Sequence, residues 1–349
     1  MTESEPSLSR PSVQTPLLIW GAGAMGGTIG AALARAGHAV RLVDQDREHV
    51  EAMRSRGLAI VGPVAEFSVP ADAWTPTDLS GTYDRVLLCV KAHHTADAIA
   101  QVEPFLAKDG YVVSIQNGLN EVVIADHVGA TRTIGAFVNF GADLLEPGVV
   151  HWGGRGAVVL GELNGSFSER LRQLHTVLLD FEPGAIQTDN VLGYLWSKLA
   201  YGALLFATAL TDASIADVLD SPAHRSLLVE VGREVCRVAD SVGIRLEAFD
   251  GFDPSAFGSG ASDGDAHRSL ADLVAFNRRS AKTHSGIWRD LAVRKRRTEV
   301  DAQLGPIVDS GERTGVAVPL IARIIHQIHE IEQGTRAQRW ANLDELTRT

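Results

Sequence analysis

Residues 196–210 read WSKLAYGALLFATAL, and Lys198 is the only charge in the stretch. An ammonium buried without a partner costs several kcal/mol or gives up its proton. A lysine in such surroundings either snorkels to water along its own methylenes or is held for proton transfer. Residues 21–26 read GAGAMG, a complete G-x-G-x-x-G of Gly21, Gly23 and Gly26 with Ala22, Ala24 and Met25 between them. These six are candidates to hold a dinucleotide. The first glycine permits a tight turn, the second lets backbone approach a pyrophosphate, and the third lets helix and strand pack closely. Asp44 follows about 20 residues on, where an acid takes the ribose 2′-hydroxyl of NAD and repels the 2′-phosphate of NADP. Arg41 and Arg47 are near enough in sequence to reach that phosphate, so either cofactor is possible, with NAD favoured by Asp44. A cap or turn role in LVDQDREH competes for the same aspartate.

The elements around these residues give the motif its weight. The apolar run LLIW (17–20) precedes GAGAMG, a helical stretch follows it, and AVRLVD then reads as a second strand. Further strand-like runs lie at 85–90 (RVLLCV), 111–115 (YVVSI) and 133–140 (TIGAFVNF), with a helical stretch at 94–107. Alternating strands and helices predict a mainly parallel sheet covered on both faces. After about residue 187 only helical spacing is visible. The expected organisation is a tail over 1–15, an α/β Rossmann-type dinucleotide-binding domain over 16–187, and an all-α substrate and dimerisation domain over 188–349. Residues 247–266 (EAFDGFDPSAFGSGASDGDA) read as a long Gly/Ser/Asp-rich loop of the kind that serves as a lid or insertion.

Composition narrows the function classes. The 349 residues suffice for two domains, and the formal net charge of −11 argues against general affinity for nucleic acid or anionic membranes. Two cysteines, Cys89 and Cys236, exclude a disulfide framework and suit a reducing compartment. The N-terminus lacks the apolar core of a signal peptide. The longest apolar run near Lys198, Leu199 to Thr211, is short of the ~20 residues a membrane span needs. The expectation is a soluble, cytoplasmic protein with no metal.

Taken together, the motifs resemble the ketopantoate reductase family. The markers, in order, are GAGAMG (21–26), CVKA (89–92), QNG (116–118), PGVVHWG (147–153), WSKL (196–199) and RRTEVDAQLG (296–305). They run from about Leu17 to about Pro319. The resemblance implies a Rossmann domain followed by a helical domain of the 6-phosphogluconate dehydrogenase C-terminal type, an active site in the cleft between them, and a homodimer. It implies that Lys198 is the acid that protonates a carbonyl oxygen as hydride arrives. Glu299 would support that lysine and the substrate hydroxyl, Asn117 would lie near cofactor and substrate, and Lys91 would be a second active-site lysine. The chemistry fits these residue types, since carbonyl reduction needs a hydride from the cofactor and a proton from the protein.

The departures from the family concern the substrate. Family members usually carry asparagines four and eight residues after the lysine, where this chain has Gly202 and Phe206; these two positions, with Lys91, are expected to face the substrate. A Ser-Ser-Met run before the acid matching Asp290 becomes Ser285, Gly286 and Ile287, and the spacing from Asp290 to Glu299 is one residue longer. Ser285, His284 and Arg289 are the candidates to bind a substrate carboxylate instead, Arg289 by a bidentate contact. A surface ion pair is the competing role for Arg289.

Two motifs are set aside. Arg294–Arg297 (RKRR) reads as a solvated helix face. His326, His329 and Glu330 share a helix, but no further cysteine or acidic cluster completes a metal site. The expected function is NAD(P)-dependent hydride transfer to or from a small 2-oxo or hydroxy acid, with 2-dehydropantoate to pantoate the most nameable case. Catabolic oxidation of another hydroxy acid by NAD, and a dinucleotide-binding regulator without turnover, are the alternatives.

Overall fold

The computed structural model describes residues 15–279 and 283–348. The expected tail, apart from Thr15, lies outside them. The run LLIW forms strand β1 (Leu17–Trp20), buried along its whole length. Strand side chains alternate between faces. Leu17 and Ile19 therefore enter one core and Leu18 and Trp20 another, so the sheet is covered on both sides.

Chain order continues with β2 (Val40–Val43), β3 (Leu58–Val61), β4 (Phe67–Val69), β5 (Asp72–Trp74), β6 (Tyr83–Leu88) and β7 (Leu106–Ser114). Then come β8 (Thr133–Val138), β9 (Gly141–Glu146), β10 (Val149–Gly154), β11 (Val158–Glu162) and β12 (Ile186–Gln187). The main sheet has the order β12-β11-β8-β7-β6-β1-β2-β5, all parallel except β11 against β8. A second sheet, β4-β3-β10-β9, was not foreseen. Its strands are short and partly exposed, so they give little period-two signal. The stretch expected as one helix over 94–107 ends earlier. A helix covers Thr95–Val102, a 3₁₀ turn carries Glu103–Phe105, and Leu106 already belongs to β7.

Helices α1 (Ala24–Arg35) and α2 (Arg47–Arg56) pack with the second sheet on one face of the main sheet, and α3 (Thr95–Val102) and α4 (Glu121–Val128) cover the other. α5 (Glu169–Leu178) completes the first face. The helical half contains α6 (Val191–Ala209), α7 (Ile215–Leu219), α8 (Arg225–Ser241), α9 (Asp263–Arg279), α10 (Gly286–Ala292), α11 (Val300–Thr314), α12 (Pro319–Glu332) and α13 (Ala341–Thr347). α6 is its axis. By length and composition alone α6 could cross a membrane, but 72% of its apolar window is buried inside the protein. Its buried face packs on α8, α10 and α11 and, at the sheet's end, on Phe137 and Val159.

Residues 247–266 are not a lid. The segment is irregular only to residue 262, where α9 follows, and it carries Phe249, Phe252 and Phe257 into the helical core. Phe249 meets Phe137 of β8 edge-on at 4.7 Å. A Cβ on Gly232 of α8 would come within 2.6 Å of the Phe257 ring. Asp250 accepts a hydrogen bond from the Asn139 side-chain amide at 2.7 Å, and Ser197 of α6 accepts one from the Glu247 N–H at 2.9 Å. The small polar residues that suggest a loop are spacers between buried aromatics.

Candidate active site

The glycine turn is built as its spacing requires. Gly21 has φ +98°, and a Cβ there would lie 2.9 Å from the Val90 nitrogen. A Cβ on Gly26 would lie 2.1 Å from the Gly21 carbonyl oxygen and 2.8 Å from Ile19 Cγ2. Both positions are closed to any larger residue. Gly23 is the opposite case: a Cβ there would meet no protein atom within 4 Å. The space over Gly23 is open and belongs to a cavity of about 570 Å³, a size typical of small-molecule sites. Gly21, Gly23, Ala24, Met25, Asp44, Gln45 and Pro76 line one part of it. Of the six turn residues, Ala22 and Gly26 lie behind this lining. Ala22 is fully buried, and its carbonyl pairs with the His49 ring at 3.0 Å.

Asp44 reaches the cavity and also accepts the Asp46 N–H at 3.0 Å, while Asp46 caps α2. Both roles weighed for it are therefore compatible. Arg41 does not turn toward the cavity. Its guanidinium donates to Asp72 at 2.8 Å and to Tyr83 at 2.7 Å and lies over the Trp74 ring. Arg47 is not among the lining residues either. The dinucleotide test is thus met by an open glycine at the start of α1, with Asp44 in the same lining and neither Arg41 nor Arg47 there.

The other part of the cavity is lined by Cys89, Lys91, His94, Asn117 and Glu299. Gln116 and Asn117 follow β7, and Gly118 (φ +95°) turns the chain so closely on α11 that a Cβ would sit 2.7 Å from the Ala302 carbonyl. That approach brings the QNG turn to the first turn of α11. Lys198 of α6, half-buried, donates to Asn117 Oδ1 at 2.8 Å and to the Val138 carbonyl, with its ammonium 5.5 Å from the centre of the Phe137 ring. The Asn117 amide nitrogen donates to Glu299 Oε2 at 3.5 Å. Glu299 Oε1 accepts the Ala92 N–H at 2.9 Å. Asn117 thus connects Lys198 to Glu299, and residues far apart in sequence share one hydrogen-bonded chain.

Behind this chain, Glu121 of α4 is buried, and burial pushes its carboxyl up to about 7, against the opposing pull of its own N–H, of Ser114 and of the Lys198 charge. Burial likewise pushes the Cys89 thiol far above its ordinary range. His93, beside His94, is held below the usual histidine range, first by burial and then by its neighbour's charge.

The helical half reaches the cavity through residues the sequence reading had set aside. The RKRR run is not a helix face, because α10 ends at Ala292 and residues 294–297 follow it as irregular chain, with Lys295 at φ +49°. Arg294 and Arg296 line the cavity together with Asp143 and Leu144 of β9. Asp143 takes Arg289 at 2.5 Å and also Arg294. Asp290 takes Lys91 at 3.3 Å, Arg294 at 3.1 Å and Arg296 at 2.9 Å. Burial alone would raise the Asp290 carboxyl, but Lys91, Arg296 and Arg294 outweigh it and hold it below the ordinary range.

Several expected substrate contacts are corrected. Phe206 is wholly inside the helical core. Ser285 is buried and caps α10 by accepting the Trp288 N–H at 3.1 Å. Gly202 is buried on α6, with Gln303 Oε1 the one atom that a Cβ there would approach, at 3.4 Å. Arg289 is in an ion pair, the competing role, with Asp143. Lys91 and Asn117 do line the cavity. His326 pairs with Glu330 at 3.6 Å and His329 with Asp301 at 2.9 Å.

Comparison with known proteins adds an independent line. Residues 17–165 match the family profile described as ketopantoate reductase PanE/ApbA, and residues 190–332 match that of its C-terminal domain. A 2-dehydropantoate 2-reductase from Pyrococcus horikoshii is 28% identical over 307 residues, spanning 87% of this chain and 93% of the relative. One from Halobacterium salinarum is 29% identical over 312 residues, spanning 87% and 95%. Among solved structures, a ketopantoate reductase family protein from Ralstonia eutropha superposes with a TM-score of 0.78 at 26% identity, covering 92% of this chain and 99% of that one. D-mandelate dehydrogenase, solved with NADH and anilino(oxo)acetate, superposes with a TM-score of 0.79 at 23% identity over 92% and 99% of the two chains.

Proposed function

The chain belongs to the ketopantoate reductase family and is an NAD(P)-dependent oxidoreductase acting on a CH–OH group; we propose that it interconverts a small 2-oxo acid and its hydroxy acid with Lys198 as the proton donor. The carrying observation is the chain Lys198–Asn117–Glu299: Asn117 and Glu299 line the same cavity as the glycine turn, and Lys198 stands one hydrogen bond behind Asn117. When bound, the nicotinamide cofactor supplies the hydride. The protein supplies the rest. Lys198 holds a proton at Nζ, and Asn117 Oδ1 and the Val138 carbonyl fix where that proton points. Glu299, tethered by the Ala92 N–H, holds the Asn117 amide from its other end and so orients the oxygen that Lys198 bonds. Transfer to the substrate oxygen then leaves a neutral amine in half-apolar surroundings, where neutrality is favoured.

In this reading Gly21, Gly23, Ala24, Met25, Asp44, Lys91 and Asn117 hold the cofactor, with NADH preferred over NADPH. Asp44 supports the preference, and Arg41, engaged by Asp72 and Tyr83, does not offset it. The same atoms run the oxidation in reverse. 2-Dehydropantoate is the first substrate to try. Gly202 and Phe206 stand where the family carries asparagines, and Phe206 and Ser285 are buried, so a panel of other 2-oxo acids belongs beside it. We further place the protein in the cytoplasm as a homodimer, on the strength of the family. Turnover of NADH or NADPH with 2-dehydropantoate and the panel tests the reading. Oxidation of NADH in preference to NADPH supports it. Cofactor binding with no turnover on any 2-oxo or hydroxy acid, in either direction, replaces it with a nucleotide-binding regulator.

A further inference from the structure

We infer that Arg294 and Arg296 form the second wall of a diphosphate site, supplied by the helical domain across the cleft from the glycine turn. The inference rests on the dinucleotide reading above and adds to it a ligand for two arginines that the hydride chemistry does not use. Both line the cavity that contains Gly23, Ala24 and Met25. Their position follows from a chain of contacts. β9 packs against α1, Asp143 lies on β9, and Arg294 is bonded to Asp143. Arg294 is thereby held on the strand that flanks the helix whose N-terminus would face the phosphates.

The charge balance also points to an anion. Among the described residues, Lys91, Arg289, Arg294 and Arg296 pair with two carboxylates, Asp143 and Asp290. Asp44, Asp97 and Glu299 are the other carboxylates of the lining, and Glu299 is taken up by Ala92 and Asn117. Within the ion-paired cluster itself four cations meet two carboxylates, in a chain whose formal net charge is −11. Guanidinium groups match phosphate oxygens bidentately. Arg296, with 48% of its side chain exposed, and Arg294, with 32%, keep N–H groups for a ligand while Asp290 fixes their orientation. Arg297 differs: it is 80% exposed, pairs at 3.8 Å with Asp301 and does not line the cavity.

The anion could in principle come from the cofactor's diphosphate or from the substrate's carboxylate, and binding measurements separate them. NADH, ADP-ribose and adenosine are titrated onto the wild type, Arg294→Gln, Arg296→Gln and the control Arg297→Gln. Arg294→Lys and Arg296→Lys keep the charge should the glutamine variants fail to fold, which a thermal melt reports. The expected result is a loss of about ten- to hundredfold in ADP-ribose and NADH affinity for each glutamine variant, the range for one charged hydrogen-bonding group. The lysine variants fall between, and Arg297→Gln and all adenosine affinities stay unchanged. The salt dependence of ADP-ribose binding also flattens in the variants. Unchanged ADP-ribose affinity in folded Arg294 and Arg296 variants overturns the inference. If only the KM for the 2-oxo acid rises, the anion is the substrate carboxylate and the diphosphate assignment is wrong. A wild type that binds neither NADH nor ADP-ribose would instead overturn the dinucleotide reading itself.

Discussion

Asn117 accepts a hydrogen bond from Lys198 at 2.8 Å through its amide oxygen and donates to Glu299 at 3.5 Å through its amide nitrogen. One planar group thus fixes both the ammonium and the carboxylate. A neutral amide can serve both because its two ends have opposite hydrogen-bonding character. Asn117→Asp presents oxygens to both partners, so Glu299 then faces a second carboxylate. Turnover should fall by about 10²-fold or more, the size of effect associated with a displaced general acid. Asn117→Asp and Asn117→Ala, compared by kcat and by cofactor affinity, check this. Equal kcat in wild type and both variants would remove Asn117 from the machinery.

Gly23 and Gly26 lie three residues apart yet should respond to alanine in opposite ways. A methyl on Gly26 would strike the Gly21 carbonyl and Ile19, so Gly26→Ala should cost about 1–3 kcal/mol of stability and show as a lowered Tm without ligand. A methyl on Gly23 meets no protein atom, so Gly23→Ala should melt like wild type while its KM for the cofactor rises. Thermal melts beside cofactor titrations distinguish the two. A fall in Tm for Gly23→Ala would mean that its open face is not the ligand's.

Asp44 should set the cofactor preference. Asp44→Ala loses a charged hydrogen-bond acceptor to the ribose, which predicts about a ten- to hundredfold weaker NADH interaction. The repulsion of a 2′-phosphate goes with it, so the NADPH:NADH ratio of kcat/KM should move toward NADPH. A ratio unchanged by the substitution would assign Asp44 to its turn role alone.

Glu121 should couple stability to pH. Its carboxyl titrates near 7 in the fold, against 4.5 as the ordinary value, so the folded state holds the proton across that interval. Its contribution to stability is fully present below about pH 4.5 and is lost as pH rises to about 7. Above that pH the buried charge weighs on the fold by on the order of 3 kcal/mol. Glu121→Gln should therefore flatten the stability profile between these values and exceed wild type at about pH 8. Chemical denaturation across the pH range measures it, and coincident profiles would contradict it.

Much of this site was legible because its parts are local. The glycine turn is six consecutive residues between a strand and a helix, and its spacing alone implies the backbone geometry found. The isolation of Lys198 on an apolar helix was equally visible. What escaped depends on distant partners. The RKRR run reads as a solvated face until Asp143, 146 residues before Arg289 and 151 before Arg294, gathers the guanidinium groups at the cleft. The Gly/Ser-rich segment at 247–266 reads as a loop because its three buried phenylalanines are spaced irregularly and meet partners on β8, α6 and α8 that lie elsewhere in the sequence. Phe206 could be placed opposite a substrate only by position relative to Lys198. Which face of α6 turns into the core is decided by α8, α10 and α11, and no residue of α6 alone reveals it.

The most direct test separates binding from chemistry at Lys198. Wild type and Lys198→Ala are compared for NADH affinity by fluorescence and for NADH oxidation with the best 2-oxo acid. The expected result is cofactor affinity within a few-fold of wild type and turnover reduced by about 10²- to 10⁴-fold, the contribution of a positioned general acid. Turnover within a few-fold of wild type in a folded, NADH-binding Lys198→Ala would contradict the role assigned to the one charge in WSKLAYGALLFATAL.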